Sequence, residues 1–222
     1  MTITTFDALG LPASVLAAVQ RVGFKTPTPI QAAAIPLAME GHDVLGSAQT
    51  GTGKTAAFGL PMIARLMADP QGMGLVMTPT RELAAQVLST LQPLLAGSQI
   101  RTALLIGGES MHKQLQQLRQ RPRIIVGTPG RINDHLEQRT LNLSAASFLV
   151  LDETDRMLDM GFGVQIDRIL RHMPRQRQTL LFSATIPAEI EKLAGRYQSN
   201  PRRVSMGSTV APVAAIKQEV LH

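Results

Sequence analysis

Eight residues constrain the fold of this chain more than any others: Ala48-Gln49-Thr50-Gly51-Thr52-Gly53-Lys54-Thr55, set between a short apolar run and a long stretch of helical period. Gly51 and Gly53 permit the turns that point successive backbone N–H groups at one anion. A helix opening near Lys54 adds the positive end of its dipole. In that setting Lys54 reaches the β- and γ-phosphates of a nucleoside triphosphate, and the Thr55 hydroxyl coordinates Mg2+. The general pattern has glycine at the first position; Ala48 is the smallest substitute and keeps the loop viable. Because the loop works only as a strand-to-helix turn, it commits the chain to an α/β architecture.

The rest of the sequence agrees. Short apolar runs at 43–47, 75–78, 102–106, 124–127, 148–152, 179–183 and 203–205 read as strands, apolar on both faces as parallel strands covered on each side should be. Between them lie stretches of helical period: Leu83, Val87, Leu91, Leu94 and Leu95; Met111, Leu115 and Leu118; Ile166, Ile169, Leu170 and Met173; Ile190, Leu193, Ala194 and Tyr197. Such alternation predicts a mostly parallel central sheet with helices on both faces and right-handed crossovers. Composition changes after about Met206, so residues 1–206 read as one domain. Residues 207–222 read as a linker and the possible start of a second domain, with Ile216, Gln218 and Val220 alternating as a strand would.

Composition removes several function classes. The chain has no cysteine, which excludes disulfides, thiolate metal sites and cysteine nucleophiles. Its start lacks the basic-then-apolar pattern of a secretory signal, and no uncharged apolar run reaches the length of a membrane helix, so a cytoplasmic location is expected. The net charge of +6 suits a polyanionic partner, or reflects a general compositional bias towards arginine. With aromatics at only 3%, stacking of many bases is excluded and backbone contacts are expected to dominate.

An acidic pair completes the phosphate chemistry. The apolar run Phe148-Leu149-Val150-Leu151 ends in Asp152-Glu153. At the carboxyl end of a strand beside the phosphate loop, Asp152 can hold the magnesium and Glu153 can orient and polarise the attacking water. Taken alone, such a pair is also ordinary helix-capping chemistry.

Further blocks appear in order along the chain: Gly23-Phe24-Lys25-Thr26-Pro27-Thr28-Pro29-Ile30-Gln31 with Phe6 ahead of it, Pro79-Thr80-Arg81-Glu82-Leu83-Ala84, Gly107-Gly108, Thr128-Pro129-Gly130-Arg131, and Ser183-Ala184-Thr185. With the phosphate loop and the acidic motif they make residues 6–206 resemble the first catalytic domain, RecA-like in fold, of bacterial-type DEAD-box ATP-dependent RNA helicases. That resemblance implies an adenine-reading segment that includes Phe24, Lys25, Thr26 and Gln31. A glutamine amide can pair with adenine's N6 and N7 edge, and a phenylalanine ring can stack on the base; Phe24 can equally be a core aromatic, and Gln31 a helix-start residue after Pro29. It implies that Pro79, Thr80, Arg81, Gly107, Gly108, Thr128, Pro129, Gly130 and Arg131 grip one RNA strand. Two of these segments open helices whose N–H groups suit phosphate oxygens, although Arg81 and Arg131 could instead pair with carboxylates inside the domain. It also implies that Ser183 and Thr185 couple nucleotide state to strand grip through Asp155, against the alternative that they cap the helix after Pro187.

The family's acidic motif reads Asp-Glu-Ala-Asp, and here it is Asp152-Glu153-Thr154-Asp155. Both working carboxylates are present, so Thr154 is expected to tune coupling and not magnesium binding. The arginine clusters 119, 121 and 123, and 168, 171, 175 and 177, read as solvated faces or as extra RNA or partner contacts. The resemblance implies ATP, Mg2+, single-stranded or duplex RNA and a second RecA-like domain of the same protein. No His-Arg-x-Gly-Arg block of the kind that second domain carries occurs in these 222 residues. They are therefore expected to bind nucleotide weakly, hydrolyse it very slowly and not unwind duplexes alone. Rival classes are another phosphate-loop ATPase such as a DNA translocase, and a non-enzymatic half-helicase serving as an RNA- or protein-binding platform.

Overall fold

The structure, a computed structural model, describes residues 5–206; the expected linker and the alternation at 216–220 lie outside the described residues. Strands β1 (Val44–Ser47), β2 (Met73–Met77), β3 (Thr102–Leu105), β4 (Ile124–Gly127), β5 (Ala146–Leu151), β6 (Gln178–Ser183) and β7 (Arg202–Ser205) form one sheet in the order β3-β4-β2-β5-β6-β1-β7. Every neighbouring pair runs parallel. The helices are α1 (Ala13–Arg21), α2 (Pro29–Met39), α3 (Lys54–Ala68), α4 (Arg81–Leu94), α5 (Met111–Arg119), α6 (Pro129–Glu137), α7 (Thr154–Asp159), α8 (Gly163–Arg171) and α9 (Ala188–Tyr197).

The inner strands are largely apolar because alternate residues enter different cores. Phe148 and Val150 of β5 join Phe58, Leu60 and Leu91 beneath α3 and α4. Leu149 and Leu151 join Ile132, Met157, Ile166 and Ile190 on the opposite face. Each such side chain, fully withdrawn from water, contributes about 1.5–3 kcal/mol. Every predicted run is a strand, but polar residues counted into their ends fall just outside. Asp43 precedes β1, and its two carboxylate oxygens accept the N–H groups of Thr179 at 2.8 Å and Ser199 at 2.6 Å.

Two readings change. On α5, Met111, Leu115 and Leu118 are only half-buried, and the side chain the helix buries is Gln114. The arginine clusters do not behave as units. Arg123 is half-buried and donates to the carbonyls of Gly72 at 3.0 Å, Leu66 at 2.8 Å and Asp69, closing the carboxyl end of α3. Arg177 donates to Pro174 O at 2.8 Å and lies near Asp43. Arg119, Arg121, Arg168, Arg171 and Arg175 are exposed. At one rim of the sheet, Gln117 Oε1 of α5 accepts the Leu104 N–H of β3 at 2.8 Å. At the other rim, β7 presents the exposed Arg202 and Arg203.

β5 is not next to β1: β6 lies between them. The carboxyl ends of β1, β6 and β5 therefore set the phosphate loop, Ser183 and Asp152 side by side in that order.

Candidate active site

Gly51 and Gly53 both adopt the left-handed conformation, with φ of 81° and 84°, and α3 starts at Lys54 as the sequence predicts. A Cβ on Gly53 would fall 2.6 Å from Gln31 Nε2, so position 53 needs glycine for space as well as conformation. Gln31 is buried and its amide is engaged at both ends. Its Oε1 accepts the Thr28 N–H at 2.9 Å and its Nε2 donates to Gly53 O at 3.0 Å. It thus ties the start of α2 to the phosphate loop, with one further N–H and one lone pair still free for a base edge.

A cleft of about 530 Å³ runs along this loop, lined by Phe24, Lys25, Thr26, Gln31, Thr50, Gly51, Gly53, Lys54, Thr55, Asp152 and Glu153 among others. Phe24 stacks on Phe6, with ring centroids 6.2 Å apart, at one end of it. Ala48, Gln49 and Thr52 are not among the residues that line the cleft. The Ala48 N–H donates to Ser183 O at 3.1 Å, and the Thr52 hydroxyl donates to Gln49 O at 2.6 Å. Leu83, Gln86 and Thr90 of α4 also line it. The sequence reading missed them, although their spacing along one helical face was available as a signal.

Lys54 Nζ is buried and lies 3.1 Å from Asp152 Oδ1, an ion pair off hydrogen-bond alignment that leaves the ammonium without a well-formed partner. A buried, under-partnered ammonium at a helix start fits a phosphate oxygen. Burial pushes the Asp152 carboxyl up from the usual carboxylate range, and the Lys54 ammonium pulls against that shift. Beside it Thr55 offers a hydroxyl, so the hard oxygen donors that magnesium prefers are present. Glu153 has φ 49° and ψ 51°, a strained conformation for a non-glycine residue. Its Oε1 accepts the Thr50 hydroxyl at 2.9 Å. It starts α7 without a capping hydrogen bond, so the capping alternative does not explain it.

Ser183 and Thr185 turn towards the acidic motif. The Asp155 N–H donates to Ser183 Oγ at 3.2 Å, and Asp155 Oδ2 accepts the Thr185 hydroxyl at 3.0 Å and the Thr185 N–H at 3.1 Å. Burial would raise the Asp155 carboxyl, but the bonds from Thr185 and the Arg156 N–H outweigh it and hold it below the ordinary value. The N-cap position of α9 is Pro187, so Thr185 does not serve as its cap. Thr154 is fully buried and donates to Phe182 O at 3.0 Å, next to this contact.

A second cleft, of about 460 Å³, is lined by Pro79, Thr80, Arg81, Gly107, Thr128, Gly130 and Arg131, with Met160 and Phe162 closing one side. Sequence reading did not single out the last two; the signal available was an apolar pair just past the acidic motif's helix. Pro129 is buried as the first residue of α6, and the left-handed Gly108 lies under the Arg81 guanidinium, where a Cβ would collide with it. Arg131 is partly committed: Nε lies 3.3 Å from Asp134 Oδ2, and Nη1 donates to Glu109 O at 3.1 Å.

Beneath these loops His135 is fully buried, with Nε2 3.0 Å from Gln114 Oε1 and Nδ1 2.8 Å from Thr140 Oγ1. Burial, and then the Arg131 charge, lower its pKa. The unfolded chain therefore takes up a proton before the folded one does. Stability is full above the ordinary imidazole pKa of about 6.5 and falls as pH drops below it. Denaturant unfolding at pH 7.5 and 5.5 is expected to show that loss. In His135→Gln the part of it due to this residue should vanish.

A family model described as DEAD/DEAH box helicase matches residues 28–193. The chain is 46% identical over 221 residues to a DEAD-box ATP-dependent RNA helicase CshA of Geobacillus kaustophilus, covering 99% of this chain and 47% of that protein. It is 46% identical over 219 residues to an ATP-dependent rRNA helicase rrp3 of Emericella nidulans, covering 98% of this chain and 47% of that protein. The chain thus spans about half the length of the curated relatives it matches. Its fold matches the crystal structure of a DEAD box protein from the hyperthermophile Methanococcus jannaschii, with a TM-score of 0.85, 38% identity, and coverage of 91% of this chain and 56% of that one. Family model, relatives and fold agree with the geometry: the chain belongs to the DEAD/DEAH box helicase family.

Proposed function

We infer that this chain is the ATP-binding half of an RNA-dependent ATPase and RNA helicase, acting in the cytoplasm and completed by a second RecA-like domain. The carrying observation is the convergence at one edge of the sheet. Lys54, Asp152 and Glu153 meet over the phosphate loop, and the loops bearing Arg81, Gly107 and Gly130 line a cleft alongside. Lys54 and the loop N–H groups bind the phosphates, Thr55 and Asp152 would hold Mg2+, and Glu153 positions the attacking water. Magnesium supplies charge neutralisation on the phosphates when bound. Phe24 and Gln31 favour adenine, and Asp155 with Ser183 and Thr185 links the nucleotide site to the strand-gripping loops. On this reading residues 1–206 make the catalytic domain, and 207–222 a linker and the start of the second. Among the described residues no helix is long and apolar enough to cross a membrane.

Contacts of this kind go to the sugar-phosphate backbone and carry little sequence information. Binding of fluorescent single-stranded RNA decamers is expected to weaken with salt, with a log–log slope of about −1 to −3, and to vary less than about threefold between sequences. Anisotropy titrations at several salt concentrations measure both. Affinity that is indifferent to salt, or equally strong stimulation of ATP hydrolysis by single-stranded DNA, would count against the RNA reading.

A further inference from the structure

Gln114 and His135 are buried polar side chains with no part in the chemistry above, and both are fully enclosed. Buried polar groups are costly unless their bonds are complete, so a closed network between two elements marks a fixed spacing. Gln114 Nε2 of α5 donates to Ile106 O at 2.8 Å, which orients the amide and leaves Oε1 as an acceptor. His135 of α6 must then donate from Nε2. Its Nδ1 lies 2.8 Å from Thr140 Oγ1, whose hydroxyl also donates to the His135 carbonyl at 3.1 Å, so the ring is held at both nitrogens.

The relay ends at the carbonyl immediately before Gly107 and Gly108. One helical turn earlier on the same face of α6, Arg131 holds the carbonyl of Glu109, immediately after those glycines. The turn at 107–108 is therefore pinned on both sides: by Gln114 of α5, backed by His135 of α6, and by Arg131 of the same α6, which begins at Thr128-Pro129-Gly130. Glycine turns are otherwise conformationally permissive, and two anion-facing loops act together only if their separation is set in advance.

The geometry points to Gln114 and His135 as positioning residues for strand binding: they lock the Gly107–Gly108 turn at the spacing from the α6 N-terminus that consecutive backbone groups of one RNA strand require. This rests on the RNA-gripping reading of those loops. Neither residue touches RNA; both act through the backbone they hold.

The test uses the full 222-residue chain at low salt, with a fluorescent uridine decamer as the RNA probe and a fluorescent ADP as the probe of the nucleotide cleft. Gln114→Leu and His135→Leu are expected to raise the RNA Kd about tenfold while the ADP Kd changes by less than about twofold. His135→Gln keeps a donor at the reach of Nε2 and should restore RNA binding to within about threefold of the wild type. Amide exchange should speed up selectively at residues 107–109 in the leucine variants. If those variants do not fold, Thr140→Val at the half-buried end of the relay should shift the RNA Kd the same way by about threefold. A folded leucine variant with wild-type RNA affinity, or one that loses RNA and ADP affinity in parallel, overturns the positioning role. A wild-type chain that binds no decamer removes the RNA reading and this inference with it; wild-type binding that no variant alters removes this inference alone.

Discussion

Glu153→Gln is expected to lower RNA-stimulated ATP turnover of the two-domain protein by about 10²–10⁴-fold while leaving ATP and RNA bound. The amide preserves shape and keeps an oxygen to accept the Thr50 hydroxyl, so the strained backbone at 153 loses no support. What disappears is the negative charge that orients and polarises water. The ion pair with the exposed Arg156, 3.4 Å away, contributes little and its loss is tolerated. Stability by chemical denaturation should stay within about 1 kcal/mol of the wild type. Steady-state turnover and equilibrium RNA binding in the presence of ATP measure the two effects. Turnover above a tenth of the wild-type rate would rule out Glu153 as the water-positioning group.

The second large effect concerns Lys54. Lys54→Ala is expected to weaken nucleotide binding at least about 100-fold, or about 2.7 kcal/mol. It should also destabilise the nucleotide-free protein by about 3 kcal/mol near neutral pH, because Asp152 then stays buried without its counter-charge. Burial already pushes the Asp152 carboxyl upward, and removing the ammonium pushes it further. In the variant the folded chain therefore holds a proton that the unfolded chain releases as pH rises through and above the ordinary carboxylate range. The destabilisation should be smallest in acid and grow towards pH 8. Denaturation of both proteins at pH 5 and 8 checks the sign. A deficit that shrinks as pH rises would show that Asp152 is not the group left uncompensated.

Much of this architecture was legible because its signals are local. Short runs apolar on both faces marked the strands, and glycine spacing marked the phosphate loop. Strand order was not legible, since nothing within the runs at 148–151 or 178–183 says which of them borders Val44–Ser47. The hydrogen-bond commitments of long polar side chains were equally hidden. The resemblance implied an adenine contact for Gln31, but its bond to Gly53 O depends on packing between α2 and the loop. Arg131 looked like a strand-gripping cation, and in the fold it braces a neighbouring turn. Arg123, read as surface charge, closes a helix end. Gln114 lies off the apolar stripe of Met111, Leu115 and Leu118, yet it is the residue that α5 buries, because its partner lies on a different helix.

The two rims of the sheet bear on how the protein behaves when crowded. Open strand edges invite other chains to add on and begin aggregation. Here the Leu104 N–H is already occupied by Gln117, and the opposite edge is a strand of four residues carrying two exposed arginines, one of them paired with Glu191 at 2.5 Å. Lateral growth of the sheet is discouraged on both sides. The loops at the carboxyl ends of the strands, by contrast, present shaped, hydrogen-bonding surface in place of bare backbone.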